Sequence, residues 1–157
     1  MIRTPFRIRL CISLLCINLI FIWGNSLLPG KISGAFSDLV RDLLKAIFSG
    51  SSGSSGGGGL LRKLAHFTEF TCLGVCLSWL MRMVRKKPLE QLLLPLACGM
   101  AAACIDETIQ CFVPERGPSL KDVGIDTTGV ILGIVIIYII CQIKKSKNIQ
   151  KLEENKL

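Results

Sequence analysis

Four apolar segments dominate the chain and limit the folds that it can adopt. Residues 10–28 form the first segment and carry no charged side chain. Residues 70–81, 91–105 and 127–143 form the other three, and each is shorter than the roughly 20 residues that a bilayer span needs. These three reach span length only when the polar residues at one end are included. The pattern predicts an all-α, polytopic membrane protein with four transmembrane helices.

The predicted spans cover about residues 8–28, 63–83, 89–112 and 123–143 of a single domain, 1–157. Hydrophobic residues make up 50% of the chain and Gly adds 15 residues, which is above the apolar content of a typical soluble domain. Such a composition excludes a chain that is disordered throughout. The eight Cys lie mostly inside apolar segments, without a C-x-x-C pair, which argues against a secreted disulfide scaffold.

Positive charge in the loops predicts the orientation of the spans. With the N-terminus in the cytoplasm, the cytoplasmic segments hold 12 basic and three acidic residues, and the outer segments hold seven basic and eight acidic residues. The net charge of +8 then divides into +9 inside and −1 outside. We therefore expect a multi-pass protein of the cell membrane with both termini cytoplasmic. The basic excess serves topology and attraction to anionic lipids, and no nucleic-acid partner is expected.

Three segments lie outside the predicted spans. Residues 29–49 repeat apolar side chains at three- and four-residue steps, which predicts an amphipathic helix in the first outer loop, either on the leaflet or packed on the bundle. Residues 50–59 contain only Gly and Ser and form a flexible linker. Residues 144–157 form a basic cytoplasmic tail. The first span follows Arg3, Arg7 and Arg9 and so resembles a signal peptide, but its length favours an uncleaved helix.

Polar residues complete three of the spans at the same predicted depth, near the outer leaflet. The spacing of Arg62, His66 and Glu69 places them on one helix face. Ionisable groups in membrane spans are costly and are usually functional or paired. The predicted ligand-binding residues are Arg62, Lys63, His66, Glu69, Asp106, Glu107, Gln110, Arg116, Ser119, Asp122 and Asp126. Gly129 and Gly133 form a G-x-x-x-G pair that favours close helix packing.

The chemistry of this polar set allows several functions. Arg62 and Arg116 suit bidentate binding of phosphate or carboxylate groups. His66, Glu69 and Asp106 are the candidates for acid–base catalysis, whereas a lone Ser119 in a turn is typical of a cap. We predict no metal and no cofactor, because a single His offers few soft ligands. The alternative is a hard cation on oxygen ligands, and its candidate ligands are Glu69, Asp106, Glu107 and Asp126.

Two long motifs resemble those of VanZ-like membrane proteins. Residues 62–70 read R-K-L-A-H-F-T-E-F and resemble R-K-x-x-H-F-x-E-[FY]. Residues 106–123 resemble D-E-x-x-Q-x-F-x-P-x-R-x-x-x-x-x-D-V, and Asp126 to Gly129 resemble the following [ND]-x-x-G. The resemblance is strong over residues 60–143 and looser over the first span and the amphipathic loop. The Gly/Ser linker is not a feature that we associate with this family.

The resemblance implies a bacterial envelope protein. The founding member of the family is associated with low-level resistance to teicoplanin, a glycopeptide that binds cell-wall precursors outside the membrane. Our main hypothesis is an outward-facing polar cavity that binds an envelope lipid, a lipid-linked precursor or a lipoglycopeptide. One alternative is a membrane enzyme with a His/carboxylate site that acts on a lipid-linked substrate. Another alternative is a structural partner subunit whose helices are held together by ion pairs, such as one between Arg62 and Glu69.

Overall fold

The computed structural model describes residues 3–29, 58–117 and 119–154. The described residues form four helices and no strand: α1 (Arg3–Ser26), α2 (Gly58–Val84), α3 (Pro88–Cys111) and α4 (Leu120–Glu154). Each helix contains a stretch long and apolar enough to cross a membrane. The predicted all-α, four-helix membrane fold is therefore confirmed. The predicted amphipathic segment, 29–49, and the linker, 50–59, lie outside the described residues apart from their outermost positions.

Large apolar side chains cover the outside of the bundle. Ile20 and Phe21 on α1 and Leu89 on α3 are more than half exposed, and α4 exposes a similar apolar surface. Only 11–33% of the apolar stretch of each helix is buried inside the protein. Exposing such a surface to water is unfavourable, whereas lipid tails solvate it. A helix also satisfies its own backbone hydrogen bonds, as a bilayer requires, so this is a multi-pass membrane protein.

The closest helix pair is α2 with α4, and glycine makes its approach possible. A Cβ atom added to Gly129 would lie 2.6 Å from the carbonyl oxygen of Phe67, and one added to Gly133 would run into the α2 backbone at Thr71. Likewise, a Cβ atom added to Gly74 on α2 would overlap the α4 backbone at Val130. Small residues permit this backbone contact between membrane helices. A compact core with Phe70 at its centre surrounds it.

The loops fix which helix ends lie together. At one end, Arg85 donates its backbone N–H to the carbonyl of Met81 at 2.8 Å, and Pro88 opens α3. At the other end, Val113 donates to the carbonyl of Gln110 at 3.2 Å and closes α3. The carbonyl oxygen of Ser119 accepts the first backbone N–H groups of α4. The end of α1, the start of α2, the end of α3 and the start of α4 thus meet at one end of the bundle.

Candidate functional site

Buried polar side chains gather at the end of the bundle where α1 and α3 finish. The fully or nearly fully buried ones there are Ser26, Asp106, Glu107, Gln110 and Asp126. All eleven polar residues predicted from the sequence to bind a ligand lie on the same end, on α2, α3, α4 and the loop before α4. We call this group, together with Asn25 and Ser26 of α1, the polar cluster. All four helices contribute side chains to it. Packing of the apolar segments alone would not fix the four helices in this arrangement.

Asp106 lies at the centre of the polar cluster and is completely buried. The hydroxyl of Ser26 donates to Asp106 Oδ1 at 2.6 Å, and Gln110 Nε2 donates to Asp106 Oδ2 at 2.8 Å. His66 Nδ1 lies 3.9 Å from Oδ2. A carboxylate removed from water must be paired or hydrogen-bonded to be tolerated. Donors from α1 and α3 meet that requirement here.

Glu69 and His66 face each other beside Asp106. Asn25 Nδ2 donates to Glu69 Oε1 at 2.8 Å, while Glu69 Oε2 lies 3.7 Å from His66 Nδ1. Neither Oε2 nor Nδ1 has a hydrogen-bond partner among the described residues, although both atoms are buried. Unsatisfied buried polar atoms are rare in folded proteins. Their presence makes this part of the cluster a candidate binding or reaction site.

Glu107 holds the loop that precedes α4. Its Oε2 accepts a 2.8 Å hydrogen bond from the backbone N–H of Ser119. The carbonyl of Ser119 in turn accepts backbone hydrogen bonds from Asp122, at 2.9 Å, and Val123. Ser119 therefore acts through its backbone at the start of α4. This supports its role as a turn residue rather than as a nucleophile.

Lys63, a basic residue of the cluster, has a carboxylate partner. Lys63 Nζ and Asp122 Oδ1 form an ion pair at 2.7 Å. Arg62 forms no salt bridge with Glu69 among the described residues, so the pair given as an example for the structural alternative is not formed; Glu69 Oε1 accepts a hydrogen bond from Asn25 instead.

Arg116 lies in the loop between α3 and α4 and keeps two donors unused. Its Nη2 donates to the carbonyl oxygen of Asn25 at 3.1 Å. Its Nε and Nη1 are buried without a hydrogen-bond partner among the described residues. Burial, and to a smaller degree the neighbouring Arg62, lowers the pKa of Arg116 from its ordinary value. Since guanidinium remains charged in proteins, Arg116 is a partly buried cation with spare donors.

Asn25 and Ser26 are the site residues that the sequence analysis missed. They end the first apolar segment, where a short polar tripeptide also fits a weak cleavage site. Their position at the same predicted depth as the other polar residues was the available signal. Together they hold Glu69, Asp106 and Arg116, so α1 is an integral part of the cluster.

The space inside the polar cluster is small. A cavity of about 10 Å³ is lined by Arg62, Lys63, His66, Glu107, Gln110, Asp122, Ile125 and Asp126. Such a volume holds about one water molecule, so a lipid headgroup would contact the cluster from its rim. A larger cavity, about 690 Å³, lies at the opposite end of the bundle near Arg82 and Tyr138, and no residue of the polar cluster lines it. One group of potential metal ligands lies in the polar cluster, namely His66, Asp106 and Asp126, and the first and last of these also line the small cavity.

Comparison with known proteins identifies one family. A family model described as VanZ/LLP1 matches residues 9–141, which is most of the chain and includes the whole of α2, α3 and the polar cluster and most of α1 and α4. Searches of the curated proteins and of the solved structures return no match.

Proposed function

The chain belongs to the VanZ/LLP1 family, and we propose that it binds an anionic, lipid-linked ligand of the bacterial envelope at the rim of its polar cluster. The ligand is a membrane lipid, a lipid-linked cell-wall precursor or a lipoglycopeptide antibiotic. Its capture lowers the access of such an antibiotic to its target and gives low-level teicoplanin resistance.

The observation that carries this proposal is the state of Arg116. Two of its N–H groups are buried and have no acceptor among the described residues. Leaving a buried donor unsatisfied costs about 1–3 kcal/mol, and more for a charged group. A phosphate or carboxylate oxygen that reached Arg116 would satisfy these donors, and guanidinium matches the geometry of both groups. Arg62 lies close enough to influence Arg116 electrostatically and adds a second positive charge.

The loop that carries Arg116 also supplies apolar contacts. Phe112 and Leu120 flank this loop, and their side chains are 85% and 91% exposed. An amphiphilic ligand could place its anionic group on Arg116 and its tail against these side chains. The combination favours a lipid-linked anion over a free one, because a soluble anion gains nothing from the apolar flanks.

The direction of the cluster follows from charge. Its end of the bundle is the near-neutral one, while the opposite end adjoins the strongly basic loop and tail. By the positive-inside rule, the cluster faces outward and both termini are cytoplasmic. Lipid-linked precursors and glycopeptides are present on that outer side of a bacterial membrane.

Expression in a susceptible bacterial host tests the proposal. We expect a higher minimal inhibitory concentration for teicoplanin than in a vector control, with little change for vancomycin, which has no lipid tail. Arg116→Gln should abolish the difference, whereas Arg85→Gln, an exposed arginine at the opposite end, should retain it. Equal protection against both antibiotics, or protection that survives Arg116→Gln at normal protein levels, would contradict the proposal.

A second function, catalysis on a lipid-linked substrate, is favoured by His66. Its Nδ1 lies 3.7 Å from Glu69 and 3.9 Å from Asp106, which is an arrangement in which an imidazole is oriented by carboxylates and can exchange a proton. Lipid extracts of expressing cells should then contain a product that disappears in His66→Ala and Glu69→Gln. Unchanged extracts in cells that retain resistance would exclude catalysis.

A further inference from the structure

We propose that His66, Asp106 and Asp126 form a binding site for one divalent metal ion, Zn²⁺ or Mn²⁺, inside the polar cluster. This inference reverses the expectation from sequence that no metal is bound. It goes beyond the proposed function, because the ion would be held by residues behind the rim that contacts the ligand.

The first argument is geometric. One donor atom from each of the three side chains lies within 4.8 Å of the other two. The side chains come from α2, α3 and α4, so they approach the same point from different directions. Zinc bonds to nitrogen and oxygen are about 2.0–2.2 Å long and zinc sites are usually tetrahedral, so two donors on one ion lie about 3.4 Å apart. Side-chain shifts of up to about one ångström would bring all three donors into coordination.

The second argument is the lack of other partners. Asp126 is only 2% exposed, yet it makes no hydrogen bond or ion pair with any residue that the structure describes. His66 Nδ1 is buried and has no hydrogen-bond partner in that part of the chain, and its nearest carboxylate oxygens lie 3.7 and 3.9 Å away. Both residues line the cavity of about 10 Å³, which is a volume suited to a single ion or water. A buried carboxylate and a buried imidazole nitrogen that face one small void have the properties of metal ligands.

The third argument concerns Asp106, whose orientation is fixed by its neighbours. Ser26 and Gln110 each donate a hydrogen bond to one of its two oxygens. Carboxylates that bind metals are commonly held by such outer hydrogen bonds, which orient the free lone pairs toward the ion. Asp106 Oδ2 accepts from Gln110 and still lies 3.9 Å from His66 Nδ1.

The fourth argument is charge. The polar cluster contains five carboxylates and three basic side chains, which leaves a net charge of −2 when all are ionised. Lys63 is paired with Asp122, and Arg116 donates to the carbonyl of Asn25. Neither of these two cations pairs with Asp126, and Arg62, which lines the same cavity, forms no ion pair with it among the described residues. One divalent ion would balance the excess, in a region where uncompensated charge is costly.

The ligand types select the class of metal. Imidazole suits zinc and other first-row transition metals, and carboxylate suits magnesium, calcium and manganese. One nitrogen and two carboxylates therefore favour Zn²⁺ or Mn²⁺ over Ca²⁺. Three protein ligands also leave a coordination position open, as in catalytic rather than structural zinc sites.

The decisive measurement uses the unmodified chain. His66 is the only His, so a protein purified in mild detergent with a tag that lacks His has a single imidazole. After treatment with a chelator and loading with Mn²⁺, electron spin-echo spectroscopy should detect one coordinated imidazole nitrogen. Elemental analysis after Zn²⁺ loading should give about one ion per chain. Absence of bound metal, or bound Mn²⁺ without a nitrogen signal, would overturn the proposal.

Variants provide an independent check. Asp126→Asn should weaken Zn²⁺ binding by at least the roughly tenfold that is typical of loss of an outer-shell partner. Glu90→Gln removes the same charge from the opposite end of α3 and should leave the affinity unchanged. Equal affinities of Asp126→Asn and Glu90→Gln would overturn the assignment. Teicoplanin protection is not part of either measurement, so failure of the proposed function and failure of the metal site give different results.

Discussion

Ser26, the last residue of α1, donates a 2.6 Å hydrogen bond to Asp106, a fully buried carboxylate 80 residues later on α3. This contact joins the first helix to the centre of the polar cluster. It also gives a role to the polar residue near the end of the first apolar segment: Gln110 of α3 donates to Oδ2 only, so Oδ1 of Asp106 takes its donor from α1.

Ser26→Ala should lower the free energy of unfolding by about 1–3 kcal/mol, because it leaves one oxygen of a buried carboxylate without a donor. Denaturant titration of the purified protein in mild detergent measures this change. Ser13→Ala, an exposed position on the same helix, is the matched control and should have little effect. Equal effects of the two variants would show that the hydrogen bond does not stabilise the bundle.

Gly133→Ala should separate α2 from α4. The added Cβ would overlap the α2 backbone at Thr71, and overpacking of this kind costs about 1–3 kcal/mol. Gly124→Ala on the same helix has nothing within 4 Å of the new Cβ and should change stability by no more than about 1 kcal/mol, in the stabilising direction. Thermal unfolding of both variants tests the contact; a neutral Gly133→Ala would disprove it.

The Lys63–Asp122 ion pair should contribute little to stability. The Lys63 side chain is 41% exposed, and exposed pairs are worth about 0–1 kcal/mol. Lys63→Met should therefore alter the free energy of unfolding less than Ser26→Ala does under the same conditions. A larger loss of unfolding free energy in Lys63→Met would favour the alternative in which ion pairs hold together the helices of a structural partner subunit.

Topology is predicted from charge and can be measured directly. A green fluorescent protein fused after residue 157 should fluoresce, because that fold matures in the cytoplasm. Alkaline phosphatase inserted within residues 50–59 should be active, because the enzyme needs the oxidising outer compartment. The opposite pattern would place the polar cluster on the cytoplasmic side and remove the basis for contact with extracellular antibiotics.

Much of the fold could be predicted because hydropathy is a local property. The four apolar segments correspond to the four helices, and the need to extend three of them with polar residues identified the end where the cluster lies. The identity of most cluster residues followed from the same argument and from the motifs. Asn25 and Ser26 were missed because two small polar residues after an apolar segment are ordinary in a sequence.

The partners of the polar residues could not be predicted in the same way. Arg62 and Glu69 have suitable charges and spacing for an ion pair, yet Glu69 is held by Asn25. Residues on one helix face are neighbours in sequence arguments, but a neighbouring helix can offer a better-placed donor. His66 and Asp126 illustrate the converse, since nothing in the sequence shows that, within the described part of the chain, His66 Nδ1 and the Asp126 carboxylate have no hydrogen-bond partner.

The amino-acid sequence by itself determined the number of spans, the helix ends at which polar groups lie and the side chains available there. It could do so because a bilayer span requires a segment of sufficient length and hydrophobicity. Tertiary structure decided which of those groups meet. Gly129 and Gly133 bring α2 against α4, and α1 supplies donors to Glu69 and Asp106. Hydrogen bonds and metal coordination depend on distances of a few tenths of an ångström, and only the packing of helices sets distances so closely.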